Sequence, residues 1–199
     1  SNKRTKGNLS MKKKTIDFRN AFFDSFYDVA SKNNDIIFLT ADTDADSLVK
    51  FREDYSERFI NTGVTEQNAV TVASGLALSG KKIFIYSMVP FITMRCYEQI
   101  KIDICSMKLP ITLVGLGAGL SYSYYGPAGH GVIDIAIMRA LPEITIFNPS
   151  DPISASAFAA MAYNNFSPTY VRLHKGSTPK IYKDNESFSD GFKIHKEGS

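Results

Sequence analysis

The chain has 199 residues, 44% hydrophobic and 22% charged, with a formal net charge of +3. That balance suits one domain with a substantial core. The excess charge is mild and much of it lies in the opening SNKRTKGNLSMKKK, so it leaves no nucleic-acid footprint. No apolar run approaches the roughly 18 residues that a membrane-spanning helix needs, and no apolar segment follows the basic start, as a signal peptide would require. Cys96 and Cys105 fall on one predicted helix, where a separation of nine residues sets them on opposite faces. There they lie about 13 Å apart, too far to bridge, and a reduced, cytoplasmic chain is the expectation.

Residues 1–14 read as a basic disordered tail and 15–175 as the domain. The spacing of Phe18, Phe22, Phe26 and Val29 predicts an amphipathic helix over 16–33. The run 36–39 looks like a buried parallel strand. Residues 42–57 are polar and irregular, with room for a short helix. Next comes a strand over 59–61 and a turn over 62–65. There Gly63 is free to take positive φ, and Thr62 or Thr65 is available as an N-cap. Ala69, Val70, Ala73, Leu76 and Ala77 then recur at helical spacing until Ser79-Gly80 stops the helix. Further strands are expected at 83–86, 111–114, 144–147 and 169–173. Helices are expected at 91–107, at 132–140 and from Pro152 to near Asn165, and a loop rich in Gly and Tyr over 115–131. Strands alternating with helices predict a three-layer α/β/α domain with a largely parallel sheet. Residues 174–190 are polar and read as a linker, after which 192–194 begins another strand.

Several residues suggest chemistry. Glu66 sits in the first turn of a helix, where a strand has just delivered the chain to the sheet edge at which ligands bind; the plainer reading is an acid facing the helix dipole. Asp42, Asp44, Asp46 and Glu53 fit positions of a calcium loop. Ser47, however, stands where that loop needs Gly, and a strand precedes it instead of a helix, which favours a solvated loop. Gly115-Leu116-Gly117-Ala118-Gly119 follows a strand, but Leu120 breaks the dinucleotide pattern and no P-loop occurs.

Three motifs, in order, carry a family resemblance. Arg58 to Asn68, RFINTGVTEQN, followed by ASGLALSG, resembles the signature of the pyrimidine-binding domain of transketolase-like, thiamine diphosphate-dependent enzymes. The resemblance implies that Glu66 hydrogen-bonds N1′ of the cofactor's aminopyrimidine and promotes the tautomer that removes the C2 proton, a task suited to a carboxyl in a dry site. Tyr86-Ser87-Met88-Val89-Pro90-Phe91 followed by Arg95-Cys96-Tyr97-Glu98-Gln99-Ile100 resembles the family's strand-to-helix turn. On that likeness Phe91 stacks on the aminopyrimidine, and Met88 replaces a second aromatic. Asp42, in the "A-D" after an early strand, is implied to lie near the same pocket. The third motif is Gly126-Pro127-Ala128-Gly129-His130-Gly131 with Asp134 to Pro142. It departs from the family: Tyr125 replaces an Asp, and Gly129 and Gly117 replace histidines that face substrate. His130 matches only the second histidine position, as a catalytic candidate or a loop histidine, and Lys175 falls near a phosphate-binding arginine.

The resemblance covers residues 36–175. It implies a subunit that activates thiamine diphosphate for two-carbon ketol transfer between sugars or sugar phosphates. The diphosphate and its Mg2+ are expected on a separate diphosphate-binding subunit, with no metal held here, and a homodimer is expected. Residues 176–199 then read as a linker and the start of a further domain. The alternatives are a deoxyxylulose-phosphate synthase-like or 2-oxoacid dehydrogenase β-like subunit, or a structural or regulatory subunit without catalysis.

Overall fold

The computed structural model describes residues 16–191. The basic tail and the strand expected at 192–194 lie outside them. Six parallel strands form the central sheet: β2 (Ile36–Thr40), β3 (Phe59–Asn61), β4 (Lys82–Met88), β5 (Ile111–Leu116), β6 (Thr145–Phe147) and β7 (Thr169–Leu173). Their order is β3-β2-β4-β5-β7-β6.

Alternation along the central strands divides the core into two layers. Phe84 and Tyr86 of β4, with Val114 and Leu116 of β5, face α1 (Phe18–Ala30), α2 (Leu48–Asp54) and α6 (Pro152–Asn164). Ile83, Ile85, Ile111 and Leu113 face the opposite way, toward α3 (Glu66–Leu78), the helical segment 91–105 and α5 (Asp134–Arg139). The three-layer α/β/α expectation is met.

The first layer is aromatic. Phe23 meets Tyr86 edge-on with centroids 4.9 Å apart, and Phe26 meets Phe84 at the same distance. Each such buried ring contributes about 1.5–3 kcal/mol through area removed from water. Arg58 fastens this layer: its Nη1 donates to the carbonyls of Ala30 and Asn33, and its guanidinium lies 3.9 Å from the Tyr55 ring centroid.

Three local expectations are corrected. The first helix begins at Phe18, not at 16, because the Asp17 carboxylate caps the N–H groups of Arg19 and Asn20. Ile16 and Asp17 form β1, antiparallel to β8 (Ser177–Thr178). Hence part of the expected linker is paired structure. It is also anchored beyond β8: Oδ2 of Asp151 accepts from the N–H groups of Ile181 and Tyr182, while Oδ1 caps α6 at Ser154. Lastly, the helix expected over 91–107 is π-helical at Phe91–Arg95 and Ile100–Cys105, around a short α4 (Tyr97–Gln99). The wider turn brings Cys96 and Cys105 into the same core layer, where α-helical spacing would oppose them. Both thiols are free and buried, and burial pushes them up to about 12 and about 11, so neither is a ready nucleophile.

Candidate functional site

The carboxyl ends of the parallel strands form the edge where an open α/β sheet binds ligands. β3 ends there at Asn61, and Gly63, at φ +69°, turns the chain into α3. Neither Thr62 nor Thr65 caps that helix as expected: the Thr65 hydroxyl instead donates to the Thr62 carbonyl at 2.7 Å. Asn61 holds the turn together. Its Oδ1 accepts from the N–H groups of Asp42 and Gly63, and its amide donates to Asp42 Oδ1 at 3.2 Å. Asp42, at φ 54°, is therefore a brace for the Glu66 turn and is itself exposed.

Glu66 is 1% exposed, unlike an ordinary first-turn acid. Its Oε2 lies 2.6 Å from Arg95 Nη1, and its Oε1 accepts from the Ser87 hydroxyl at 3.3 Å. The same guanidinium lies 4.2 Å from the centroid of Phe91. A planar, cationic N–H donor thus bonds the carboxylate and covers the ring at once. The π-turn that carries both Phe91 and Arg95 makes this possible. Glu66 and Phe91 are brought together as expected, while Met88, half-buried at the end of β4, packs on the aromatic core layer.

His130 and Lys175 belong to a second group. The loop after β5 closes on itself through paired backbone bonds between Gly119 and Gly131, at 2.7 and 2.8 Å. Beneath it, Arg172 Nε meets Asp134 Oδ2 at 2.6 Å and Arg172 Nη2 donates to the Gly131 carbonyl at 2.9 Å. The Tyr170 hydroxyl also donates to Asp134, at 2.8 Å. This buried network fixes Gly131, and so the neighbouring half-buried His130. Lys175 is exposed, with its Nζ 4.6 Å from the Tyr122 ring centroid. With Phe18, Ser150, His174 and Thr178 it lines a cavity of about 400 Å³. Burial, then the nearby Arg172, lowers the pKa of His174 from its ordinary 6.5.

Sequence reasoning did not single out Ser87, Arg95 or Tyr122. Arg95 lies inside a quoted motif, but its partner is 29 residues away and no local pattern joins them. Asp44, from the calcium-like register, pairs with Arg52 at 3.2 Å, and Asp42 is engaged by Asn61.

The family model "Transketolase, pyrimidine binding domain" matches residues 14–180. The chain belongs to the transketolase pyrimidine-binding family. Membership implies dependence on thiamine diphosphate. One relative is a subunit of an apulose-4-phosphate transketolase from Actinobacillus succinogenes, 32% identical over 86% of this chain and 56% of its own length. Another is a 1-deoxy-D-xylulose-5-phosphate synthase from Desulfotalea psychrophila, 31% identical over 92% of this chain and 28% of the relative. A solved split-gene transketolase, described as an inactive beta4 tetramer, aligns with TM-score 0.82 and 29% identity over 93% of this chain and 60% of that one. The chain therefore spans little more than half the length of these split-transketolase relatives. In this pyrimidine-binding domain the buried Glu66 and the Phe91 face suit a flat heterocycle with ring nitrogens, since the Arg95 guanidinium already occupies both. Among the described residues no helix is long and apolar enough to cross a membrane.

Proposed function

We propose that this chain is the pyrimidine-binding part of a split, transketolase-like enzyme, working with a diphosphate-binding subunit in the cytoplasm on sugars or sugar phosphates. The observation that carries the reading is the buried Glu66 carboxylate beside the Phe91 ring, both engaged by one planar donor group. Thiamine diphosphate, when bound, supplies the carbanion chemistry of two-carbon ketol transfer. This chain's residues bind and orient it. Glu66 would hold a proton at N1′ of the aminopyrimidine and Phe91 would stack on that ring, in the place where Arg95 bonds the one and covers the other. Asp42 braces the turn through Asn61, and Met88 supports the strand end. His130 and Lys175 face the substrate side, Lys175 as a point charge for an anionic group. The diphosphate and Mg2+ belong to the partner subunit.

Alone, the chain is catalytically silent and self-associates as a homodimer, burying exposed side chains such as Val64, Val72, Met94 and Ile102. A solved split-gene relative described as inactive and as a tetramer agrees with silence and self-association, if not with the number two. Sedimentation at micromolar concentration measures the state, and a monomer refutes the dimer. The functional test is reconstitution with a diphosphate-binding transketolase subunit. Calorimetric binding of thiamine diphosphate and transfer of a two-carbon unit are expected. Condensation of pyruvate with an aldose phosphate, with release of carbon dioxide, would instead support the synthase alternative. Loss of cofactor binding with every such partner would support a structural subunit.

A further inference from the structure

Gly117 and Gly129, twelve residues apart, abut the same tyrosine. At Gly117, with φ +91°, an added Cβ would lie 2.3 Å from Tyr122 Cδ2 and 2.5 Å from Cε2. At Gly129 it would lie 2.8 Å from the Tyr122 carbonyl oxygen and 2.8 Å from Tyr125 Cβ. At Gly117 the Tyr122 ring itself bars a side chain, while at Gly129 the bar is the backbone of residue 122 together with Tyr125 Cβ. The Tyr122 residue is itself buried, at 9% exposure, and packs with Leu116 and Leu173 in the aromatic core layer.

The outer face of this tyrosine is occupied as well. Lys175 Nζ sits 4.6 Å from its ring centroid and 5.8 Å from that of Tyr124. The Tyr124 and Tyr125 rings lie 4.4 Å apart and stay 67% and 59% exposed. Packing alone does not call for two adjacent aromatic rings left in water. The group stands at the carboxyl edge of the sheet, and Gly131, which closes the loop, approaches Val89, two residues before Phe91. It therefore adjoins the turn that carries the candidate cofactor face.

We propose that Tyr122 is a positioning residue that sets substrate specificity. Its ring fills the volume that a side chain at 117 would need and seats Lys175 over an aromatic wall. The substrate class is a sugar with an oxyanion tail whose neighbouring carbons carry few hydroxyls. The inference rests on the ketol-transfer reading above and adds the chemistry of the substrate. Aromatic faces pack against C–H groups and hold cations. Apart from the phenol rims they offer no partners to sugar hydroxyls, so a hydroxyl pressed against the wall loses its hydrogen bonds to water.

The test compares 3-deoxyribose 5-phosphate, which lacks a hydroxyl near the phosphate, with ribose 5-phosphate as acceptors of a two-carbon unit from hydroxypyruvate, whose carboxylate leaves as carbon dioxide, using the chain assembled with a diphosphate-binding subunit and thiamine diphosphate. The wild type is expected to show the lower KM for the deoxy sugar. Tyr122→Phe keeps that preference. Tyr122→Leu raises the KM for the deoxy sugar about fivefold, the scale of one lost cation–π contact, and leaves kcat within about twofold. Equal KM values in the wild type, or an unchanged preference in Tyr122→Leu, overturn the proposal. If no acceptor turns over, the ketol-transfer reading fails, and calorimetric binding of the two sugar phosphates to the full chain decides the specificity separately. A preference lost in Tyr122→Leu sustains the proposal there, and no preference overturns it. Thermal melts give a further check. Gly117→Ala should lower Tm more in the wild type than in a Tyr122→Ala background, because the backbone cost at φ +91° is common to both. Equal losses would show that the ring does not hold that volume.

Discussion

Replacing Glu66 by Gln changes one oxygen for an amide nitrogen in a side chain that is 1% exposed. Two consequences separate cleanly. For stability, the lost interaction is the ion pair to Arg95 at 2.6 Å. The Arg95 side chain is 41% exposed and can turn to water, so the pair must be discounted for screening. The glutamine carbonyl can still accept from Arg95 or Ser87. The expected cost is about 1 kcal/mol, a Tm lowered by about 2–4 °C in a domain of this size. For activation of the cofactor, an amide cannot hold and return a proton at the ring nitrogen. The rate of C2 proton exchange in bound thiamine diphosphate should fall by at least about a hundredfold, the scale of lost general acid–base assistance. The assay is hydrogen–deuterium exchange at C2 in the chain assembled with a diphosphate-binding subunit, wild type against variant, alongside calorimetric cofactor affinity. A small Tm change with a large exchange defect is the expected pattern. Equal exchange rates would refute the role given to Glu66 and leave it a buried structural acid.

Asp151→Ala should lower stability by about 2–3 kcal/mol, since it removes an N-cap and leaves the N–H groups of Ile181 and Tyr182 without their acceptor. Urea unfolding measures it, and a loss below about 0.5 kcal/mol, the range of an ordinary surface change, would refute the clamp. The same carboxylate has an acid limb. Burial alone would raise its pKa, but the N–H groups of Ser154, Ile181 and Tyr182 outweigh that and hold it below the ordinary 3.8. Its stabilisation is therefore complete above pH 3.8 and is lost as pH falls through the lower folded value. His174 acts in the other sense. Its folded pKa lies below the ordinary 6.5, so the unfolded chain takes up the proton first and stability declines as pH drops below 6.5. His174→Phe should shrink the Tm difference between about pH 7.5 and pH 5.5, a window spanning the histidine range; an unchanged difference would refute the assignment.

Most of the fold was legible because it is written locally. The helical spacing of Ala69, Val70, Ala73 and Ala77 and the short apolar runs of the strands mark both layers of the core. What stayed hidden depends on partners distant in sequence. Asp17 reads as one more residue of an amphipathic helix until β8 is seen pairing beside it. The stretch after β7 reads as a linker because it is polar and contains Gly, Pro and Ser, yet Tyr182 and Phe188 meet edge-on at 4.9 Å, and Phe188 reaches Phe158 on α6. Two aromatics in a polar segment were the available signal. At the candidate site, Glu66 and Phe91 could be picked out from the motifs they sit in. Arg95 could not, because its effect depends on the wide turn that aims it. The glycines at 117 and 129 showed what was missing, but not that a tyrosine ring fills the place at 117.

The π-turn at Phe91–Arg95 also behaves as a stored insertion. Such a turn holds one residue more than an α-turn, so a one-residue deletion within it would let the segment rewind as an ordinary α-helix. The backbone bonds would improve, and the segment should then melt later and exchange its amides more slowly. The residues downstream would keep their faces, because the wide turn absorbs the extra residue; rewinding with no deletion would instead swing them by about 100° about the axis, carrying Arg95 off Glu66 and Cys96 out of the core. Length variation here is therefore confined in a way that ordinary loop length is not: the spare residue is a fixed part of the reading frame that links the carboxylate to its ring.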